Sequence, residues 1–107
     1  MKAKIKYTAR QNNHHLNLCG KLLSNRTITK TDLEPITFIT VDVVDIEQNI
    51  TAYNSVHYYM NQLNIPVGHP KRGIFESVGH TSMSVGDIIE FEDLTVVVAD
   101  VGFIEVK

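Results

Sequence analysis

Gly79-His80-Thr81-Ser82-Met83-Ser84-Val85-Gly86-Asp87-Ile88-Ile89-Glu90-Phe91, continued by Leu94-Thr95-Val96-Val97-Val98-Ala99-Asp100-Val101-Gly102-Phe103-Ile104-Glu105-Val106, decides the fold. Polar and apolar residues alternate into a Gly-Asp turn. An apolar run, the two-charge turn Glu92-Asp93 and a second β-branched run then spell a hairpin. Along the alternating part a strand would turn Met83 and Val85 inward and Ser82 and Ser84 outward. Asp87, following Gly86, reads as a turn residue whose carboxylate accepts backbone N–H groups.

Working backward, residues 66–78 hold two prolines and two glycines and read as a long shaped loop. Before them Ala52, Tyr53, Val56, Tyr59, Met60 and Leu63 fall at helical spacing, with Asn49 or Thr51 as N-cap and Ile65-Pro66 as terminator. This predicts a main helix over residues 51–63. From Ile36 to Ile46 the density of β-branched residues predicts a strand packed on both faces, the central one of the sheet. Residues 24–35 are polar and Thr-rich and close on Pro35, as a loop does. Residues 14–23 fit a return strand after turn chemistry at Gln11-Asn12-Asn13, while Leu16, Cys19 and Leu23 leave a short helix open. Residues 2–10 alternate cleanly: Ala3, Ile5, Tyr7 and Ala9 on one face, Lys2, Lys4, Lys6, Thr8 and Arg10 on the other.

A chain of 107 residues is the size of one domain, and 43 % hydrophobic with 21 % charged residues is an ordinary globular composition. No apolar run approaches the roughly 18 residues of a membrane span, and the basic N-terminus lacks the apolar core of a signal peptide. The single cysteine, Cys19, cannot form an intramolecular disulfide, which fits a reducing, cytoplasmic setting. Charge is uneven: residues 1–31 carry seven basic and no acidic residues, whereas residues 74–107 carry seven acidic ones and only Lys107. Either the basic end forms a partner-binding face, or the two ends lie side by side in one sheet and neutralise each other.

The order helix, Pro-containing loop, Gly-His-Thr-Ser-Met-Ser-Val-Gly-Asp-Ile-Ile, short turn, apolar strand and Asp-Val-Gly-Phe-Ile-Glu-Val resembles the YodL-like small domains found in phages, plasmids and conjugative elements. The resemblance covers roughly residues 50–106. Thr81 stands between the Gly-His and the Ser-Met-Ser of the shared motif. What it implies is origin: an accessory domain of a mobile element, of a kind often encoded near genes that act against host defences. It brings no catalytic residues with it.

The residues raise five candidate chemistries. His57, His69 and His80 with Asp87 would make a zinc site if folding gathered them, although none has metal-ligand spacing. Ser82, Ser84, His80 and Asp87 invite a hydrolase, but no Gly-x-Ser-x-Gly elbow is present. Cys19 between Leu18 and Gly20 reads as a small buried hydrophobe, and no glycine run opens a helix with Lys-Ser/Thr, as phosphate binding would need. Lys2, Lys4, Lys6 and Arg10, with Lys71-Arg72 and Tyr53, Tyr58 and Tyr59, could serve nucleic acid, against which stands a pI near 6.2.

The expectation is therefore a single α+β domain over residues 1–107, with an antiparallel sheet of about five strands and the 51–63 helix on one face. Residues 1–46 supply N-terminal strands and a loop, and residues 47–107 the helix and hairpin. The other face, with the N-terminal lysines, meets solvent or a partner. The expected function is non-enzymatic: binding a host protein, as an anti-CRISPR or anti-restriction inhibitor does, with Lys2, Lys4, Lys6, Arg10, Lys71, Arg72 and His80 as partner-binding residues and no metal or cofactor. A sheet edge would suit β-augmentation or a symmetric homodimer. A nucleic-acid-binding accessory protein and a small enzyme are the alternatives.

Overall fold

The computed structural model of the protein describes residues 1–9, 13–24 and 27–107. They form one α+β domain whose five-stranded antiparallel sheet has the order β2-β1-β3-β4-β5. The strands are β1 (Lys2–Thr8), β2 (Phe38–Asp45), β3 (Ile88–Glu90), β4 (Thr95–Val98) and β5 (Phe103–Glu105). The helices are α1 (Asn13–Leu23), α2 (Lys30–Leu33), α3 (Ile50–Tyr59) and α4 (Arg72–Ser77). The hairpin over residues 88–98 is present, with Ile88 opposite Val97 and Glu90 opposite Thr95.

Strand β1 lies inside the sheet, between β2 and β3. Its alternation sets two faces. Ala3, Ile5 and Tyr7 are fully buried in the larger core with Ile89, Val96 and Val98, under Tyr53 and Val56 of α3 with the Met60 that follows it, and Phe75 of α4 with the Val78 that follows it. Thr8, Ile88 and Val97 lie on the opposite face, and Leu18 and Leu22 of α1, with Ile28, Ile36, Ala99 and Val106, close a second core over Ile88 and Val97.

Several expectations are corrected. The 36–46 run is an edge strand, since β1 takes the interior place; its β-branched residues include Ile39 and Val43, both exposed. Residues 14–23 are helical, because Leu18 and Leu22 at i,i+4 are the positions that meet the sheet. The expected turn at residues 11–13 falls chiefly on Gln11 and Asn12, which lie outside the described residues, as do Asn25 and Arg26. Within the 24–35 stretch, α2 is a single turn held by a capping box in which Thr29 and Asp32 bond each other's backbone N–H. Lys21 of α1 reaches Asp32 at 2.7 Å, and that bond, followed by the Thr29 N–H, holds the Asp32 carboxyl below its usual range. The expected main helix ends at Tyr59 and is followed by a 3-10 turn at Gln62–Asn64, leaving Leu63 exposed; α1 is of comparable length. The 66–78 loop contains α4, and residues 79–87 form no strand.

The second face is thus half covered rather than open throughout. Truncating Leu22, fully buried beneath α1, should cost about 2–5 kcal/mol, while Leu16→Ala on the same helix, 65 % exposed, should stay within about 0.5 kcal/mol. Urea denaturation of the two variants checks this, and equal losses would mean that α1 does not seat on the sheet through Leu22.

Candidate functional site

Two places in the molecule gather chemistry-bearing residues. The first is the uncovered half of the second sheet face. Lys2, Lys4 and Lys6 of β1 share it with Thr40, Val43 and Asp45 of β2, since Lys4 pairs with Val43 and Lys2 with Asp45. Glu90 of β3 pairs with Lys4 from the other side. Lys6 Nζ lies 3.0 and 3.1 Å from the two Glu90 carboxylate oxygens, and Lys2 lies 3.7 Å from Asp45. The two charged ends of the chain do therefore meet in one sheet and partly neutralise each other. Lys4 and Glu92 have no ion-pair partner among the described residues, yet both line one cleft of about 720 Å³ with Val43 and Asp93. A recess of about 450 Å³ continues it toward Lys30, Leu33 and Phe38. The face is amphoteric with an apolar floor, and Val43 is 52 % exposed on it.

The second place is the junction of β1 with residues 79–87. Asp87 is fully buried. Its Oδ1 accepts the Thr8 N–H at 3.0 Å and the Thr8 hydroxyl at 3.3 Å, and its Oδ2 accepts the Ser84 N–H at 2.8 Å. The expected acceptance of backbone N–H groups by this carboxylate is observed. His80 has its ring stacked on Tyr7, centroids 4.6 Å apart, with Nδ1 3.0 Å from the Ser82 carbonyl and Nε2 2.9 Å from the Thr8 carbonyl. Tyr7 donates its hydroxyl to the Thr81 carbonyl at 3.0 Å, and burial, then the Asp87 and Asp42 carboxylates, push that phenol far above its usual range. A cleft of about 510 Å³ lined by Gln62, Glu76, Thr81, Ser82 and Ser84 opens beside His80.

The residues of the hydrolase reading are thus neighbours, but their atoms are engaged otherwise. Both His80 nitrogens face carbonyl oxygens, so neither is placed to take a proton from serine. Ser84 donates to the Ser82 carbonyl, and the Ser82 hydroxyl accepts the Gln62 N–H at 2.7 Å. The histidines of the zinc reading lie apart: His57 is edge-on to Phe103, and His69 Nδ1 accepts the Lys71 N–H. Among the described residues no three His, Cys, Asp or Glu side chains are grouped to hold a metal ion.

The seven expected partner-binding residues divide. Lys2, Lys4 and Lys6 lie on the half-open face. Lys71 and Arg72, at the start of α4, belong to the opposite side: Lys71 pairs with Asp42, and Arg72 bonds Glu76 at 2.8 Å and the Ile65 carbonyl at 2.7 Å. His80 is only 7 % exposed, and Arg10 lies outside the described residues. Sequence reasoning missed Val43, Glu90 and Glu92 as members of the face. The signal for Glu90 was its alternation with the buried Ile89, which turns it onto the lysine side once β1 and β3 pair.

No helix among the described residues is long and apolar enough to cross a membrane. Compared with family models, curated proteins and solved structures, the chain matches none.

The turn that carries Asp87 has a steric condition. Gly86 has φ +95, and a Cβ there would meet His15 Nε2 at 3.1 Å. Gly86→Ala should destabilise by about 1–3 kcal/mol, whereas Gly20→Ala, inside α1 with nothing within 4 Å of the new methyl, should stabilise by about 0.5–1 kcal/mol. Chemical denaturation resolves the opposite signs, and a neutral Gly86→Ala would show that the turn has room to change.

Proposed function

We propose that the protein is a non-enzymatic binding module that docks a protein partner on the half-open sheet face. The observation that carries this reading is the amphoteric cleft in which Lys4 and Glu92, both unpaired among the described residues, flank the exposed Val43. Fixed charges of both signs around an apolar floor suit a protein surface, where complementary charges set register and the apolar centre supplies affinity. With the resemblance of residues 50–106 to YodL-like domains, the partner becomes a host protein and the role that of a mobile-element accessory protein directed at a defence system, such as a CRISPR or restriction component.

The same face disfavours the alternatives. Nucleic acid needs uncompensated positive charge, and here Glu90 holds Lys6 while Glu92 and Asp93 border the lysines. Lys71 and Arg72, on the other side and paired, add nothing to it. Strand addition at β2 meets a guarded edge: the Val43 N–H already donates to Asp42 Oδ1 at 2.8 Å, and Lys71 binds the same carboxylate. A docked face rather than an added strand is the mode we infer. The enzyme alternative loses its base, because both His80 nitrogens are committed to carbonyls.

Affinity purification of the tagged chain from host lysate after nuclease treatment, followed by mass spectrometry, should return one stoichiometric protein. Lys4→Glu combined with Val43→Asp should reduce its recovery at least about tenfold, while Leu63→Ser, on an exposed residue of the 3-10 turn, should leave it unchanged. Loss of every partner on nuclease treatment would overturn the reading in favour of nucleic acid. Equal recovery by both variants would remove the face from it.

A further inference from the structure

The geometry around His80 points to a proton-dependent tie within the fold. Each ring nitrogen lies within 3.0 Å of a carbonyl oxygen, Ser82 for Nδ1 and Thr8 for Nε2. A carbonyl oxygen only accepts, and a neutral imidazole has one N–H to give. Both contacts are satisfied together only when both nitrogens carry protons. The matching negative charge is in place, with Asp87 Oδ2 at 3.7 Å from Nδ1 in a carboxylate that is itself fully buried. Three donors from Thr8 and Ser84 hold that carboxylate, so its position does not depend on the imidazole alone. We propose that His80 is carried in the folded protein as the imidazolium, paired with Asp87, and that losing its proton loosens residues 79–87 from the end of β1.

Among the described residues, three other titratable groups border this junction. From β1, Tyr7 stacks its ring on the imidazole and donates its hydroxyl to Thr81, and its burial keeps it neutral throughout the working range. From α4, Glu76 lines the same cleft but is largely exposed and paired with Arg72. From α1, His15 comes against Gly86, the neighbour of Asp87, on the other side of the turn. On deprotonation one carbonyl, of Thr8 or of Ser82, would face a ring lone pair, and Asp87 would lose the imidazolium charge beside it. The sign follows: the contribution to stability is complete below the ordinary imidazole midpoint of about 6.5 and is lost as pH rises through the higher midpoint of the folded state. The segment released would be the wall of the cleft formed by Gly79, His80, Thr81, Ser82 and Ser84. The tie is thus a pH-sensitive fastening between the interior strand and the turn that feeds β3, separate from the proposed docking face.

Long-range nitrogen-proton correlation NMR of the intact protein between pH 5 and pH 9 tests it, since the ring signals of the histidines are resolved individually. His80 should show two protonated nitrogens at pH 7 and a proton dissociation at least about tenfold weaker than in an unfolded chain, with the amides of Thr8 and Ser84 shifting at the same midpoint. A bare nitrogen on His80 at pH 7 would overturn the proposal outright, with no variant required. Asp87→Asn, if it folds, should lower the His80 midpoint by about one pH unit, and an unmoved midpoint would overturn the pairing. In thermal melts the wild type should lose about 5 °C or more between pH 6 and pH 9 relative to His80→Gln. Parallel melting curves would count against the tie.

Discussion

The buried carboxylate of Asp87 is the constraint on which the sheet's assembly rests. One of its oxygens takes both the N–H and the hydroxyl of Thr8, the last residue of β1, and the other takes the N–H of Ser84. The same residue's backbone accepts the Val98 N–H from β4. A single side chain thereby fixes where β1 ends, how the 84–87 turn closes and where β3 begins. A fully buried carboxylate is tolerable only because its lone pairs meet oriented donors. Those donors come from residues nearly eighty positions away as well as three, so the carboxylate has its full set of donors only when β1 is docked.

With β1 fixed against β3, the charge pattern of the chain follows. Placing Lys4 opposite Glu90 and Lys6 diagonal to it brings the basic beginning against the acidic end. Under α3 and α4 the first face of β1 becomes wholly apolar, whereas the second face divides along the strand direction. Its Thr8 end is covered by α1, and its Lys2 end is left to solvent. The Lys21–Asp32 bond anchors α2 to α1, so the helical cover stops beside Phe38 and does not extend over Val43. The extent of the open half-face is therefore set by how far a short α1–α2 layer can reach.

The strict alternation of residues 2–10 made β1 and its two faces legible, and the hairpin and the approximate position of α3 were legible too. Their signals are local: period-two alternation, a turn between two apolar runs, an Asn cap at Asn49. The place of β2 in the sheet was not. A run such as Ile36 to Ile46 reads the same whether its β-branched residues are covered or not, and its edge position comes from the pairing of β1 with β3, a contact no local window contains. Asp42 and Asp45 within the run were the available signal of an edge strand. Helix α1 was ambiguous because Leu16, Leu18, Leu22 and Leu23 satisfy a period of two about as well as one of 3.6. His80 falls among the expected partner-binding residues because nothing adjacent to it announces that Tyr7 will stack on it.

That burial changes what a histidine beside two serines and an aspartate means. In sequence the four residues suggest acid–base chemistry, and in space they are within reach of one another. What bears on the hydrolase reading is the direction of the ring nitrogens. A catalytic imidazole must keep one nitrogen for a reacting proton, and here both are spent on carbonyls of the chain itself, one of them at the end of an interior strand. The polar side chains of His80, Ser84 and Asp87 thus tie the 79–87 segment to itself and to β1, whereas Lys4 and Glu92 on the half-face have no ion-pair partner among the described residues. The proposed docking face on β1, β2 and the 90–93 turn draws on a different set of charges from those that meet at His80 and Asp87.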